Sequence, residues 1–491
     1  MASTRSSRRV DRAGGSGPPD IPAPDAGTAA SSASAGDGVA AALHAALTPL
    51  AAAHHAAAGG QPLRVVIALS GGRDSMALLD ALARLARELP IVVSALHVHH
   101  GLSPNADAWA AFCAAECENR AIALAIRRVR IERVPGESPE AAARGARYAA
   151  LSSADADVVA LAHHADDQAE TLLLQLLRGA GPLGLAAMPK VRVAGGPAVI
   201  RPFLALPRAA IETYARQCGV AWIDDESNAD RGIRRNYLRH EIAPRLATAF
   251  PGYPATLVRA AAHNAEAAGL LDELAALDAL DAGKMVAGDA SGAPTLDRAA
   301  LIALAQRAPP RARNLLRWFI RRNALPLPST ARLAAMLDQL VRAAPDARVR
   351  LSHAGAELGI FRGRIVVHAP PVARFAMAWS GQPALALPHG VLEFTPARGE
   401  GLAVSALAAT AVTVRRREGG ERIRVAADRP SRALKRLLHD AGIAPWQRDS
   451  LPFVYCDDAL AAVPGIGVDA AFRAAGDAPG IVLHWRPAGR A

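Results

Sequence analysis

Two short stretches hold residues whose types and order suit phosphate and amine chemistry. The first is Ser70-Gly71-Gly72-Arg73-Asp74-Ser75. Paired glycines let a backbone turn tightly and approach an anion with no Cβ in the way. The Ser70 and Ser75 hydroxyls and the free N–H groups of a following helix can surround a phosphate, and the helix dipole adds to the attraction. Asp74 opposes that field, and a carboxylate beside phosphates calls for a bridging Mg²⁺. No G-x-x-x-x-G-K-[ST] pattern occurs and no lysine lies near the loop, so it is not a kinase-type phosphate loop. The plainer alternative is a glycine turn with Asp74 and Ser75 capping a helix.

The second stretch is His163-His164-Ala165-Asp166-Asp167-Gln168-Ala169-Glu170-Thr171. A helix beginning at its start places His163, Asp167 and Glu170 on one face. Asp167 could then share Mg²⁺ with Asp74, while Glu170 could hold or deprotonate an amine nucleophile. Acidic residues in a first turn also serve as simple dipole caps. Zinc suits the stretch poorly, because no third soft ligand is near.

Both stretches need a scaffold that delivers them to a common edge. Residues 65–69 read as a strand, followed by a glycine turn and a helix through Leu78, Leu79, Leu82 and Leu85. Residues 91–98, 123–131 and 158–162 read as further strands, separated by helices over about 105–119 and 140–152. A helix over 166–178 then stops at Gly179. This alternation predicts an α/β fold with a doubly wound, mostly parallel sheet. Ligands of such sheets sit at the carboxyl ends of the strands, where both stretches fall. His97, His99 and His100 end the second strand, either facing the same edge or simply terminating a buried strand. Glu140, Arg144, Arg147 and Tyr148 form one helical stripe, read either as a surface Glu140–Arg144 pair or as Arg147 binding a phosphate or carboxylate.

Residues 231–350 change to long helical periodicities with little β signal before Leu351, which predicts a helical domain. Beyond about 371, Pro and Gly rise again, and a short strand at 411–414 precedes a helix at 431–441, which predicts a small α+β domain. Residues 1–36 lack the large apolar side chains needed to offset ordering entropy and read as a disordered extension. An Ala-rich helix over 38–58 follows. The expected domains are therefore 37–228, 229–370 and 371–491.

Composition excludes several classes. No apolar run approaches the roughly 18 to 20 residues of a membrane span. The four cysteines, at 113, 117, 218 and 456, form neither C-x-x-C nor a disulfide framework, so a reducing, cytoplasmic setting is expected. The Arg- and Ser-rich start is followed by aspartates and no apolar core, and reads as an untargeted tail. The formal charge of +11 favours a polyanionic partner. Only three of the 56 basic residues, at 190, 284 and 435, are lysine, so part of that charge reflects an arginine bias of the whole chain.

The first hexapeptide resembles the pyrophosphate-binding loop of the PP-loop ATP pyrophosphatases. A longer ordered series resembles the tRNA(Ile)-lysidine synthetase family. It runs from Ser70–Ser75 through His100-Gly101-Leu102, the Glu140–Tyr148 stripe, the 162–171 cluster and Arg201-Pro202-Phe203-Leu204. It continues through Trp222–Asp230 and Arg235-Asn236-Tyr237-Leu238-Arg239 to a block from Arg417 to Trp446. The resemblance implies a PP-loop ATPase domain followed by two tRNA-binding domains, and a two-step ligation. The C2 oxygen of the wobble cytidine in the CAU-anticodon isoleucine tRNA attacks the α-phosphate of ATP, and the ε-amine of L-lysine then displaces AMP. By motif match it implies ATP binding by Ser70, Gly71, Gly72, Arg73, Asp74, Ser75 and His100. It implies lysine contact by Asp167 and Glu170 with support from Arg147, catalysis by these with Asp74, and Mg²⁺ on Asp74 and Asp167. Basic runs at Arg234, Arg235 and Arg239 and at Arg416, Arg417, Arg422 and Lys435 are expected to meet the tRNA; a homodimer is compatible with the sequence. The alternative within the superfamily is a tRNA thiolase, although sulfur transfer calls for catalytic cysteines that this pattern does not supply.

Overall fold

The computed structural model describes residues 35–101, 103–131, 139–193, 195–281, 294–344, 349–370 and 374–487. The expected extension at 1–36 therefore lies almost wholly outside the described residues, as do Leu102 and the side chain of Glu140. The chain divides into two compact units, 1–268 and 269–491.

In the first unit, α1 (Ala35–Ala57) leads to β1 (Leu63–Ala68), α2 (Arg73–Leu85), β2 (Ile91–His99), α3 (Ala106–Glu118) and β3 (Ala123–Arg128). Next come α4 (Pro139–Ser152), β4 (Val158–Ala160), α5 (Ala165–Leu177), α6 (Pro182–Leu185), β5 (Val191–Arg192), β6 (Ala198–Ile200) and α7 (Arg208–Gln217). The six strands form one sheet in the order β3-β2-β1-β4-β6-β5, parallel except for the β5–β6 pair. Side-chain alternation along β1 builds a core on each face. Val65 and Ile67 pack with Leu43 and Leu47 of α1, Leu78 and Leu82 of α2 and Ile211 of α7. Val66 joins Leu96, Leu151 of α4, Val159 and Val199 on the other face. The alanine-rich α1 is held by a stripe at Val39, Leu43, Leu47 and Ala51, all buried, at the i, i+4 spacing of one helix face.

The order of connection reverses between β1 and β4, which are paired in register from Val65↔Val158 to Ile67↔Ala160. The loops that leave these two strands are therefore neighbours at the carboxyl edge, where open α/β sheets bind ligands. Downstream, a 3₁₀ turn (Glu226–Ala229) precedes α8 (Arg234–Tyr237), a π-helical turn (Leu238–Ile242), α9 (Ala243–Ala249) and α10 (Tyr253–Asp281), inside which the division between units falls.

The second unit begins with the helical part. Its helices α11 (Arg298–Arg307), α12 (Pro309–Arg322) and α13 (Thr330–Arg342) enclose Leu315, Leu316, Phe319, Ile320, Met336 and Leu340. A four-stranded antiparallel sheet completes this core, and one of its strands, Leu296–Asp297, precedes the helices where little β signal was expected. The remainder is α+β, with a five-stranded and a four-stranded antiparallel sheet. The strand expected at 411–414 is Val412–Arg415, and the helix expected at 431–441 is Leu434–Asp440.

Candidate active site

The hexapeptide folds into the turn between β1 and α2. Gly71 has φ +85°, a region where an L side chain is strained, and a Cβ there would stand 2.8 Å from Ile223 Cδ1 and 3.2 Å from Cys113 Sγ. Gly72 is the N-cap of α2 and supplies no side-chain cap, so neither Asp74 nor Ser75 caps that helix. The serines instead close the loop on itself. Ser75 Oγ donates to Gly72 O at 2.9 Å and accepts from Ser70 N at 3.2 Å, with Ser70 Oγ 3.0 Å away. The first N–H groups of α2 thus remain directed at the strand edge for an anion.

Arg73 turns away from that edge to Glu212 on α7 at 2.9 Å and to Asp74 Oδ1, which both Nε and Nη2 reach at 3.0 Å. Asp74 Oδ2 faces His164 Nε2 at 3.5 Å. Partial burial opposes ionisation of Asp74, but the His164 contact and the Arg73 charge outweigh it and hold its carboxyl at about 2.

The helix expected over 166–178 is α5, Ala165–Leu177, and the start at 163 that would put His163 on its face is not what forms. His164, not His163, marks the start: it is the N-cap of α5 and forms a capping box with Asp167. The backbone N–H of His164 donates to Asp167 Oδ2 at 3.1 Å, and the Asp167 N–H donates to His164 Nδ1 at 3.4 Å. His163 precedes the helix and so does not share a helical face with Asp167 and Glu170. Burial lowers the pKa of His163 and keeps it neutral, whereas His164 goes the other way. Burial opposes protonation of His164 too, yet Asp74, Asp167 and Asp166 raise its pKa. His164 Nε2 lies 3.4 Å from Asp167 Oδ2 as well as 3.5 Å from Asp74, so one ring joins the two stretches. Sequence reasoning passed over this role, although an aspartate three residues after His164 is the capping-box spacing.

Glu170, which is buried, and Asp167, which is half-buried, face a second set of cations. Arg235 Nε and Arg239 Nη2 reach Glu170 Oε2 at 2.8 and 3.0 Å, and Arg239 Nε reaches Glu170 Oε1 at 2.7 Å. Both guanidinium groups also face Asp167 Oδ1, at 3.4 and 3.2 Å. These arginines, expected on a tRNA-facing surface, here point into the acidic cluster; Arg234 beside them is exposed. Burial works against the Asp167 charge, but His164 and Arg235 outweigh it and keep its pKa low. Arg147 is exposed and donates to His100 Nε2 at 3.5 Å. Burial and the Arg147 charge push His100 down to about 4, so the ring it offers the edge is neutral.

Among the described residues no group of three or more His, Cys, Asp or Glu side chains is arranged to hold a metal. Asp74 and Asp167 do supply hard carboxylate oxygens, which both face His164 Nε2, at 3.5 and 3.4 Å. That donor set fits Mg²⁺, which takes most of its six ligands from phosphates and water.

The other expected contacts lie in the second unit. Arg416 pairs with Asp449 at 3.4 Å, Arg417 stands 3.9 Å from Glu421, and Arg422 Nε donates to Ser431 Oγ at 3.2 Å. Arg417 and the exposed Lys435 line one cavity of about 220 Å³ with Pro445, Arg448 and Asp449.

Three family models match the chain: a PP-loop domain over 48–246, a TilS substrate binding domain over 300–366 and a TilS substrate C-terminal domain over 412–485. The tRNA(Ile)-lysidine synthase of Nitrosomonas europaea is 41% identical over 432 residues, 86% of this chain and 92% of that one. That of Azoarcus sp. is 41% identical over 446 residues, 90% of this chain and 96% of that one. The chain belongs to the tRNA(Ile)-lysidine synthase family. The expected PP-loop fold is thereby shown, and the match to the substrate-binding model favours the lysidine reading over the thiolase. The cysteines agree with that choice. Cys113 and Cys117 are fully buried, and burial pushes their thiols up to about 12 and about 11, far from a reactive thiolate. No helix among the described residues is long and apolar enough to cross a membrane.

Proposed function

We propose that the chain joins L-lysine to C2 of the wobble cytidine in the CAU-anticodon isoleucine tRNA, converting ATP to AMP and pyrophosphate. The observation that carries this reading is the meeting of the two stretches at His164, in a chain 41% identical to lysidine synthases over most of its length. In the first step the C2 oxygen attacks the α-phosphorus and the bond to pyrophosphate breaks. The loop of Ser70, Gly71, Gly72 and Ser75 holds the phosphates, with His100 at the same edge. Mg²⁺ held by Asp74 and Asp167 would neutralise the departing pyrophosphate. In the second step the lysine ε-nitrogen attacks C2, the C–O bond to AMP breaks, and the amine loses a proton.

Asp167 and Glu170 attract and orient that ammonium, and Arg147 supports the pocket. Arg73 acts through Asp74, which it holds ionised and in place. Arg234, together with Arg416, Arg417, Arg422 and Lys435, meets the phosphates of the tRNA, and the arrangement suits a cytoplasmic enzyme. The test is incorporation of labelled lysine into a transcript of this tRNA with ATP and Mg²⁺. Asp74→Asn should abolish labelling and a CAU-anticodon methionine tRNA should remain unlabelled. Undiminished labelling by Asp74→Asn would remove the assignment of the loop.

A further inference from the structure

The carboxylates assigned to the lysine amine are already engaged by cations of this chain. A carboxylate offers about four lone-pair directions. Glu170 has three of them filled by Arg235 and Arg239, and its side chain is only 8% exposed. On Asp167, Oδ1 faces both guanidinium groups and Oδ2 accepts the His164 N–H. Within this quartet two carboxylates face two guanidinium groups, so Asp167 and Glu170 hold no unbalanced charge of their own to draw in a third cation. An ammonium carries three donors and needs the same oxygens, so it and the guanidinium groups exclude one another.

The two arginines are built to act together. They stand four residues apart, in α8 and in the π-helical turn that follows it, and so project from one face. Single π-turns within helices are rare and are frequent at functional sites. The segment is anchored by the buried Asn236, whose amide donates to Asp230 O at 3.0 Å, and by the buried Leu238, while at its surface Arg231 pairs with Glu241 at 2.7 Å. Arg234, between these ties and next to Arg235, is exposed. Guanidinium groups match the paired oxygens of a phosphate better than a compact ammonium does.

We propose that Arg235 and Arg239 are an internal competitor for the substrate ammonium, and that tRNA phosphates open the lysine site by drawing these guanidinium groups off Glu170. The proposal rests on the reading of Asp167 and Glu170 as the lysine site. It places the amine after the nucleic acid in the binding order, so the nucleophile reaches its pocket once a base is present to be attacked. Because coupling between two ligands is reciprocal, lysine also tightens the hold on tRNA by the same factor.

Equilibrium dialysis of labelled lysine at pH 8, with the full chain and with or without the tRNA transcript, tests this. In the absence of tRNA, Arg235→Gln/Arg239→Gln should bind lysine at least tenfold tighter than the wild type. Arg239→Gln alone, which leaves Arg235 on Glu170, should fall between them and serves should the double variant not fold. The tightening that tRNA gives the wild type should disappear in the double variant. Equal or weaker lysine binding by the variants, undetectable binding in all of them included, overturns the proposal and makes the arginines mere supports of the carboxylates. Glu170→Gln separates the two ideas. If it binds lysine as well as the wild type, the lysine site itself is misplaced, whatever the arginine variants do.

Discussion

Replacing Gly71 with alanine is the sharpest test of how the phosphate loop is built. The backbone there has φ +85°, and holding an L-residue in the left-handed region costs about 1–2 kcal/mol. The new methyl would sit 2.8 Å from Ile223 Cδ1, well inside contact distance, and such overpacking costs about 1–3 kcal/mol. If the loop keeps its place, the fold should lose about 2–5 kcal/mol in denaturant unfolding, from the two costs together. If the loop moves to relieve the clash, stability is spared and catalysis suffers. A displacement of about 1 Å in phosphate-holding groups costs on the order of 100-fold in rate, read as tRNA-dependent release of AMP.

A second substitution separates the two costs. Ile223→Val removes the Cδ1 atom, and the remaining contacts, Cys113 Sγ at 3.2 Å and Ile223 Cγ1 at 3.6 Å, are milder. The pair Gly71→Ala/Ile223→Val should therefore recover most of the steric part and keep the backbone part, about 1–2 kcal/mol. An alanine variant within about 0.5 kcal/mol of wild type, the usual effect of an innocuous surface change, and with unaltered AMP release would refute this account of the loop. Complete rescue by Ile223→Val would refute the backbone term alone.

Two further outcomes follow from the charges. Asp74 is held at about 2, below its free value near 4, so its ionised form stabilises the fold above a pH of about 4 and that contribution fades as the pH falls toward 2. The difference in melting temperature between wild type and Asp74→Asn should accordingly shrink across that window, and a difference constant with pH would contradict the assigned cause. In the second unit, the Asp278 side chain is fully buried and pairs with Arg311. Arg311→Met should cost about 3–5 kcal/mol by denaturant unfolding, the penalty of stranding a buried charge. Asp278→Asn in the same background should return part of that loss, and no return would show that the charge is not its source.

The strands β1, β2 and β4 were legible because they are largely buried and read as short β-rich runs, and because the helices between them repeat at 3.6 residues; the short β5, exposed at the sheet edge, carries no such signal. The pairing of β1 with β4 is what turns two separate motifs into one site, and the α/β alternation already implied a common edge. The conditional start of α5 at 163, which would have put His163 on its face, fails for a definite reason. Asp166, Asp167 and Glu170 suit a first turn whether the helix starts at 163 or at 165, and only the reciprocal hydrogen bonds of His164 and Asp167 distinguish the two.

The expected domain limits follow composition, whereas the two compact units follow packing. The change to helical periodicity near 231 begins within the first unit, and α10 runs through the division with no break in its pattern. Arg235 and Arg239 show the harder limit. A basic run reads the same whether it faces RNA or folds back on acids 65 to 72 residues earlier, since the spacing of four that puts two guanidinium groups on one face serves both. What tells them apart is Glu170, buried in the second turn of another helix, with no local signature in the run itself. For a chain rich in arginine, a charge assigned to nucleic acid from sequence is thus a claim about a missing internal partner. At Arg234 the structure leaves the side chain exposed, and at Arg235 and Arg239 it supplies acidic partners. Those two residues can reach RNA only by leaving the acids to which the proposed lysine site is assigned.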